Sequence, residues 1–140
     1  MGRQEDKCRL MVIDDESIVC KRLKQIMEKA GFEVAVFGDG VHAVEELNNR
    51  HYDIILTDFR MDGMDGMKVL VSAKEKNPSS KVIILTGFAE TEMVREAFRK
   101  GVFDVLSKPV EIDTIKQVIG RAERELNESK SAAVAAAGGL

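Results

Sequence analysis

The chain has 140 residues, 44% of them hydrophobic and 32% charged, which suits one globular domain that buries a core without disulfide or metal staples. Its formal net charge of −3 gives no basic face for nucleic acid. No apolar run approaches the roughly 18 residues a membrane helix needs. Met1–Lys7 is charged, lacks a secretory apolar stretch, and carries Asp6 where a myristoylation signal needs Ser or Thr. Cys8 and Cys20 match no metal or redox spacing and read as small residues at or near the core of a reduced, cytoplasmic protein. The sequon Asn127-Glu128-Ser129 carries no weight in that setting.

In chain order, Arg9–Ile13 is predicted as a buried strand and Ser17–Lys29 as a helix, with Ile18, Leu23, Ile26 and Met27 as its apolar stripe and Gly31 as its stop. A second strand covers Glu33–Phe37, the turn Gly38-Asp39-Gly40 follows, and a helix covers Val41–Arg50. A third strand, Tyr52–Thr57, is dense in Ile and Leu. After a loop loosened by Gly63 and Gly66 comes a helix at Lys68–Lys76, ended by Asn77-Pro78. Lys81–Leu85 reads as the fourth strand, Glu90–Lys100 as a helix stopped by Gly101, and Val102–Leu106 as the fifth strand. Ile112, Ile115, Ile119, Ala122 and Leu126 recur at spacings of 3 and 4, which predicts a last amphipathic helix over 112–126. One domain is expected over 1–127, and the Ala/Gly-rich segment 128–140 is expected to be a disordered tail or a cloning remnant, with a short Ala helix extending the last helix as the alternative. Strands alternating with helices predict an α/β fold with a parallel sheet and right-handed crossovers. The unbroken apolar character of three of the strands agrees, because such strands are buried on both faces.

Polar groups stand where these strands end: Asp14-Asp15, Asp58, Thr86 and Lys108-Pro109. In an open doubly wound sheet the carboxyl ends of strands form the ligand rim. Carboxylates about 4 Å apart there repel by roughly 4 kcal/mol, so the set calls for a cation or protons. Hard oxygen donors without nearby His or Cys favour Mg²⁺ over zinc. Lys108 brings a point charge, Thr86 a hydroxyl for a new anion, and Gly87 leaves room for a phosphoryl group. Taken singly, each piece has a plainer explanation. Asp15 with Ser17 would serve as a helix cap, Asp58 as a loop residue, and Lys-Pro as surface. Their joint order along successive strand ends is what favours a site.

Val12-Ile13-Asp14-Asp15-Glu16, Asp58 with Met61, Met64-Asp65-Gly66, Leu85-Thr86-Gly87, Gly101 and Lys108-Pro109 together resemble the receiver domain of two-component response regulators, of the chemotaxis-regulator type. The resemblance runs from about Lys7 to Leu126. It implies a flavodoxin-like (βα)5 doubly wound sheet of strand order 2-1-3-4-5. It implies that Asp58 is the phosphoacceptor and that Asp14, Asp15, Asp58 and the backbone carbonyl of Arg60 hold Mg²⁺. Lys108 would bridge to the phosphoryl group, and Thr86 would switch toward it. It implies a histidine kinase or phosphotransfer protein as donor, self-catalysed transfer and hydrolysis, and no turnover of a separate substrate. The output partner or a second copy would dock on the 90–126 face. Arg95, Arg99, Lys100, Glu111 and Asp113 there are candidates for exposed pairs, each worth under about 1 kcal/mol.

The chain departs from that pattern in places. Asp62 follows Met61 where receivers usually carry Pro, and Val105 stands at the usual switch aromatic. Strand alternation predicts Phe103 on the face of Val105. Arg60 and Phe88 occupy positions that influence phosphoryl lifetime in the family, and a bulky Phe88 predicts slow hydrolysis. Two other readings stay open. One is the receiver of a DNA-binding transcriptional regulator whose output domain lies elsewhere. The other is a metal-dependent phosphohydrolase, which a second Asp two residues after Asp58 would support; Arg60 is there instead.

Overall fold

The computed structural model describes residues 7–61 and 64–138. Along the chain run β1 (Arg9–Ile13), α1 (Ser17–Lys29), β2 (Glu33–Phe37), α2 (Gly40–Asn49), β3 (Ile54–Asp58), α3 (Gly66–Lys76), β4 (Lys81–Thr86), α4 (Thr91–Arg99), β5 (Asp104–Ser107) and α5 (Ile112–Gly138). The strands form one parallel sheet in the order β2-β1-β3-β4-β5. This is the flavodoxin-like order, and it places the reversal between β1 and β3. Asp62, Gly63 and Met1–Asp6 lie outside the described residues.

Side-chain alternation along the strands feeds two cores. Leu10, Val12, Ile54, Leu56, Ile83 and Leu85 pack with Cys20, Leu23 and Met27 of α1 and with Ile115, Ile119 and Leu126 of α5. Met11, Ile13, Ile55, Val82 and Ile84 turn the other way, onto Ala43 and Leu47 of α2, Val69 and Leu70 of α3 and Ala97 of α4. Every residue of β3 is buried, which fits the apolar run Ile54-Ile55-Leu56 at its start. Both cysteines are free, and burial pushes the Cys8 thiol up to about 12 and the Cys20 thiol up to about 11. Neither is a ready nucleophile at neutral pH.

Local signals set the helix ends. Asp39 caps α2 by accepting the His42 N–H at 2.8 Å, and Asp65 caps α3 by accepting the Lys68 N–H at 3.0 Å. α4 stops where Gly101 takes φ 94°, a conformation that side chains disfavour.

Three expectations are corrected. First, α5 does not end near 126 but runs on to Gly138. Alanine has the strongest helix propensity, and a run of it prolongs a helix already nucleated on the core. Second, β5 begins at Asp104, two residues after the predicted start, and Phe103 does not share the face of Val105. Phe103 packs in the core on the α5 side, Val105 in the core on the opposite side. Phe103 sits in a bend before the strand, where period-2 alternation does not apply. Third, the N-cap of α1 is Glu16, without a side-chain cap bond, so Asp15 does not take the capping role.

Candidate functional site at the carboxyl rim of the sheet

The parallel register brings four strand ends level. Asp14 follows β1, Asp58 closes β3, Thr86 closes β4 and Lys108 follows β5. In the ladders Ile13 pairs with Thr57, Asp58 with Leu85, and Thr86 with Ser107, so the polar groups stand on one rim.

Asp14, Asp15 and Asp58 each bring a carboxylate oxygen within 4.8 Å of the others. Asp14 and Asp58 are buried, at 6% and 8% exposure, while Asp15 faces solvent. Burial raises the Asp14 pKa above its ordinary value. The Glu16 N–H, which donates to its Oδ1 at 2.9 Å, works against that rise, and the charge of Asp58 adds to it. The cluster thus stores repulsion that a bound cation relieves. Three hard anionic oxygens, with no His or Cys among them, fit a magnesium-like cation.

The Lys108 Nζ stands 2.7 Å from Asp58 Oδ1. Partial burial disfavours its charged form, but the hydrogen bond and charge of Asp58 outweigh this and hold its pKa above the ordinary value. The Lys108 backbone N–H donates to Thr86 O at 2.8 Å, which ties β5 to β4 beside the site. The Thr86 hydroxyl is buried and its Oγ1 accepts the Phe88 N–H at 3.1 Å, so its own proton is what it can offer an anion. The start of α3 packs back against the end of β3. Gly66 donates to Phe59 O at 2.7 Å, and a Cβ at Gly66 would meet Asp58 O at 2.8 Å. No side chain fits there without moving the backbone of Asp58. In the Met64-Asp65-Gly66 motif, Asp65 is therefore a helix cap and Gly66 a close-approach residue.

The structure brings Asp14, Asp15, Asp58, Thr86 and Lys108 to this one rim. The sequence named Arg60 and Phe88 but not their contact: the Arg60 Cζ lies 5.4 Å from the centroid of the Phe88 ring. The ring is 65% exposed, so the contact lies at the surface of the rim. A cation two residues after Asp58 and an aromatic two residues after Thr86 were the available signal. Of the residues expected to pair across the 90–126 face, Arg95 reaches Glu92 at 3.8 Å within α4, and Lys100, its C-cap, reaches Glu96 at 3.7 Å. No described helix is long and apolar enough to cross a membrane.

The family model of the response regulator receiver domain matches residues 10–120. The transcriptional regulatory protein ZraR of Klebsiella oxytoca is 32% identical over 130 residues, covering 93% of this chain and 29% of that protein. The DNA-binding transcriptional regulator NtrC of Escherichia coli (strain K12) is 33% identical over 119 residues, covering 85% of this chain and 25% of that protein. The chain thus spans under a third of the length of these curated relatives. A response regulator receiver domain protein from Clostridium thermocellum superposes with a TM-score of 0.77 at 29% identity, covering 89% of this chain and 98% of that one. A response regulator from Burkholderia pseudomallei, solved with a phosphorylated aspartic acid, a calcium ion and citrate, has a TM-score of 0.74 at 20% identity over 88% of this chain and 73% of that one. The chain belongs to the response regulator receiver domain family, the phosphorylation-dependent signalling switches of two-component systems.

Proposed function

We propose that Asp58 is the phosphoacceptor of this receiver and that its modification changes partner binding. The observation that carries this reading is the Lys108 ammonium 2.7 Å from Asp58 Oδ1 inside a cluster of three carboxylates. A carboxylate oxygen of Asp58 attacks the phosphorus of a phosphohistidine on a histidine kinase or phosphotransfer protein. The P–N bond breaks, the imidazole leaves and takes up a proton, and an acyl phosphate forms on Asp58. Acetyl phosphate serves in the same way, with acetate leaving.

Asp14, Asp15, Asp58 and the Arg60 backbone carbonyl are the residues that hold Mg²⁺ in this reading. When bound, the cation offsets charge on the transferring group. Lys108 neutralises charge on the phosphoryl oxygens, and Thr86 donates its hydroxyl to one of them. The domain thereby catalyses its own modification and its own hydrolysis, without turning over a separate substrate. The aspartyl phosphate adds negative charge that repositions Lys108 and Thr86, and the change is read on the 90–126 face by an output partner or a second copy. The working unit is residues 1–127, acting in the cytoplasm.

The named relatives favour a second, compatible reading. In proteins described as DNA-binding regulators, the matched stretch is about a quarter of the chain, so a receiver there is the input part of a longer protein. The phosphohydrolase reading loses ground, because Arg60 stands where a second Asp would be needed.

The test is intact mass after incubation with Mg²⁺ and acetyl phosphate, for wild type and Asp58→Asn. The expected result is one phosphoryl group on wild type alone. Equal addition to both proteins would move the acceptor elsewhere.

A further inference from the structure

Among the described residues β5 is the shortest strand, four residues long, and pairs only with β4. Its residues are half-buried or exposed, where those of β3 are all buried. A strand with one partner and little burial is held less firmly than its neighbours. Yet it carries Lys108, whose ammonium must stand correctly against Asp58.

The end of β5 remote from the site is gripped by side chains of α5. Arg121 Nη2 donates to Asp104 Oδ2 at 2.7 Å, and its Cζ lies 5.3 Å from the centroid of the Phe103 ring. Lys81 Nζ lies 5.6 Å from the same centroid and pairs with Glu125 Oε1 of α5 at 3.6 Å. The Phe103 N–H donates to Val82 O at 2.7 Å, and its ring packs in the core on the α5 side. One aromatic ring thus meets two cations, each anchored by a carboxylate. At the other end the Lys108 N–H holds Thr86 O and its Nζ holds Asp58. Backbone pairing fixes register in whole steps, but an edge strand still tilts and twists about its single partner. A second grip, from α5, removes that freedom.

The geometry points to Phe103 and Arg121 as positioning residues for phosphoryl transfer: their hold on β5 from α5 sets where the Lys108 ammonium stands against Asp58. This rests on the reading of Asp58 as the acceptor. Displacement of a catalytic group by about 1 Å can cost on the order of a hundredfold in rate, so a modest loosening of β5 is measurable. Coupling is reciprocal, so a change at Asp58 is felt at Arg121. α5 then reports the state of the acceptor without an aromatic at position 105.

The experiment compares the 140-residue wild-type chain with Arg121→Gln, Phe103→Leu and the conservative Arg121→Lys and Phe103→Tyr. Intact mass gives the rate of phosphoryl addition from acetyl phosphate, the melting temperature against Mg²⁺ concentration gives metal affinity, and carbon NMR follows the Lys108 ε-methylene. The Arg121 side chain is half exposed, so Arg121→Gln keeps the fold. Arg121→Gln and Phe103→Leu are expected to slow addition about threefold to tenfold while Mg²⁺ affinity stays within about twofold. The Lys108 resonance moves in both, and the conservative variants restore rate and resonance. An unchanged rate and an unmoved Lys108 resonance in Arg121→Gln and Phe103→Leu would overturn the assignment. If wild type takes up no phosphoryl group, the acceptor reading fails instead, and the Lys108 resonance alone decides the positioning role.

Discussion

Phe88 and Arg60 carry the first prediction. The ring and the guanidinium meet across the rim, one from the loop after β4 and one from the loop after β3. An exposed cation–π contact is worth about 0.5–1 kcal/mol, so removing it opens the rim to water and speeds aspartyl phosphate loss about twofold to fivefold. Phe88→Ala and Arg60→Ala are expected to show this alike, followed as decay of the phosphorylated mass. Equal decay in wild type and both variants would remove the shielding role. A second single-residue effect lies at His42. The His42 N–H and ring both bond Asp39, holding the Asp39 carboxyl below its ordinary value of 3.8. The hydrogen bond to Asp39 and then its charge hold His42 above its ordinary value of 6.5. The raised histidine contributes stability below its unfolded value and loses it as pH rises through the folded one. The depressed carboxyl contributes above its unfolded value and loses it as pH falls through the folded one. The pair is therefore fully formed between the carboxylate and imidazole ranges. An NMR titration is expected to place the His42 midpoint above 6.5, and Asp39→Asn to bring it back toward 6.5.

Among the elements, α3 is where the acceptor loop is tied down. Its cap, Asp65, lies between Asp58 and the helix body, and Gly66 packs against the backbone of Asp58. Loss of an N-cap costs about 1 kcal/mol, so Asp65→Ala is expected to lower the denaturant midpoint with its slope unchanged. An unaltered midpoint would mean that the packing of Val69 and Leu70 fixes the helix start alone. The central strands were legible in the sequence because burial on both faces writes them as apolar runs, as in Ile54-Ile55-Leu56. The edge strand was not. Val102 and Phe103 are apolar but precede β5, and Asp104, its first residue, is half-buried and paired to Arg121. The end of α5 was left open, between a disordered tail and an Ala helix, for a related reason. An exposed Ala-rich extension has no periodic apolar stripe to mark it, and propensity alone carries the helix past Leu126.

Across the whole molecule, the site was legible because the fold assembles it from strand ends. Each polar group follows an apolar run, and a parallel sheet must bring those ends to one rim. Contacts between side chains from different segments, Arg60 on Phe88 and Arg121 on Phe103, leave no such trace, since they depend on rotamers rather than register. The same assembly places a cost at the centre of the molecule. β1 and β3 are neighbours, so Asp14, Asp15 and Asp58 are forced together by the folding of the entire sheet. The unfolded chain separates Asp58 from the other two and feels little of that repulsion. A cation that binds only the folded cluster must therefore stabilise the whole domain. At tenfold excess over its dissociation constant the gain is about 1.4 kcal/mol, or about 4–6 °C in melting temperature for a chain of this size. Millimolar Mg²⁺ is expected to produce that shift in wild type by calorimetry. Asp14→Asn is expected to melt higher than wild type without Mg²⁺, because one repelling charge is gone, and to gain little when Mg²⁺ is added. A wild-type melting temperature indifferent to Mg²⁺ would mean that the three carboxylates do not form a cation site, and that Lys108 alone balances Asp58.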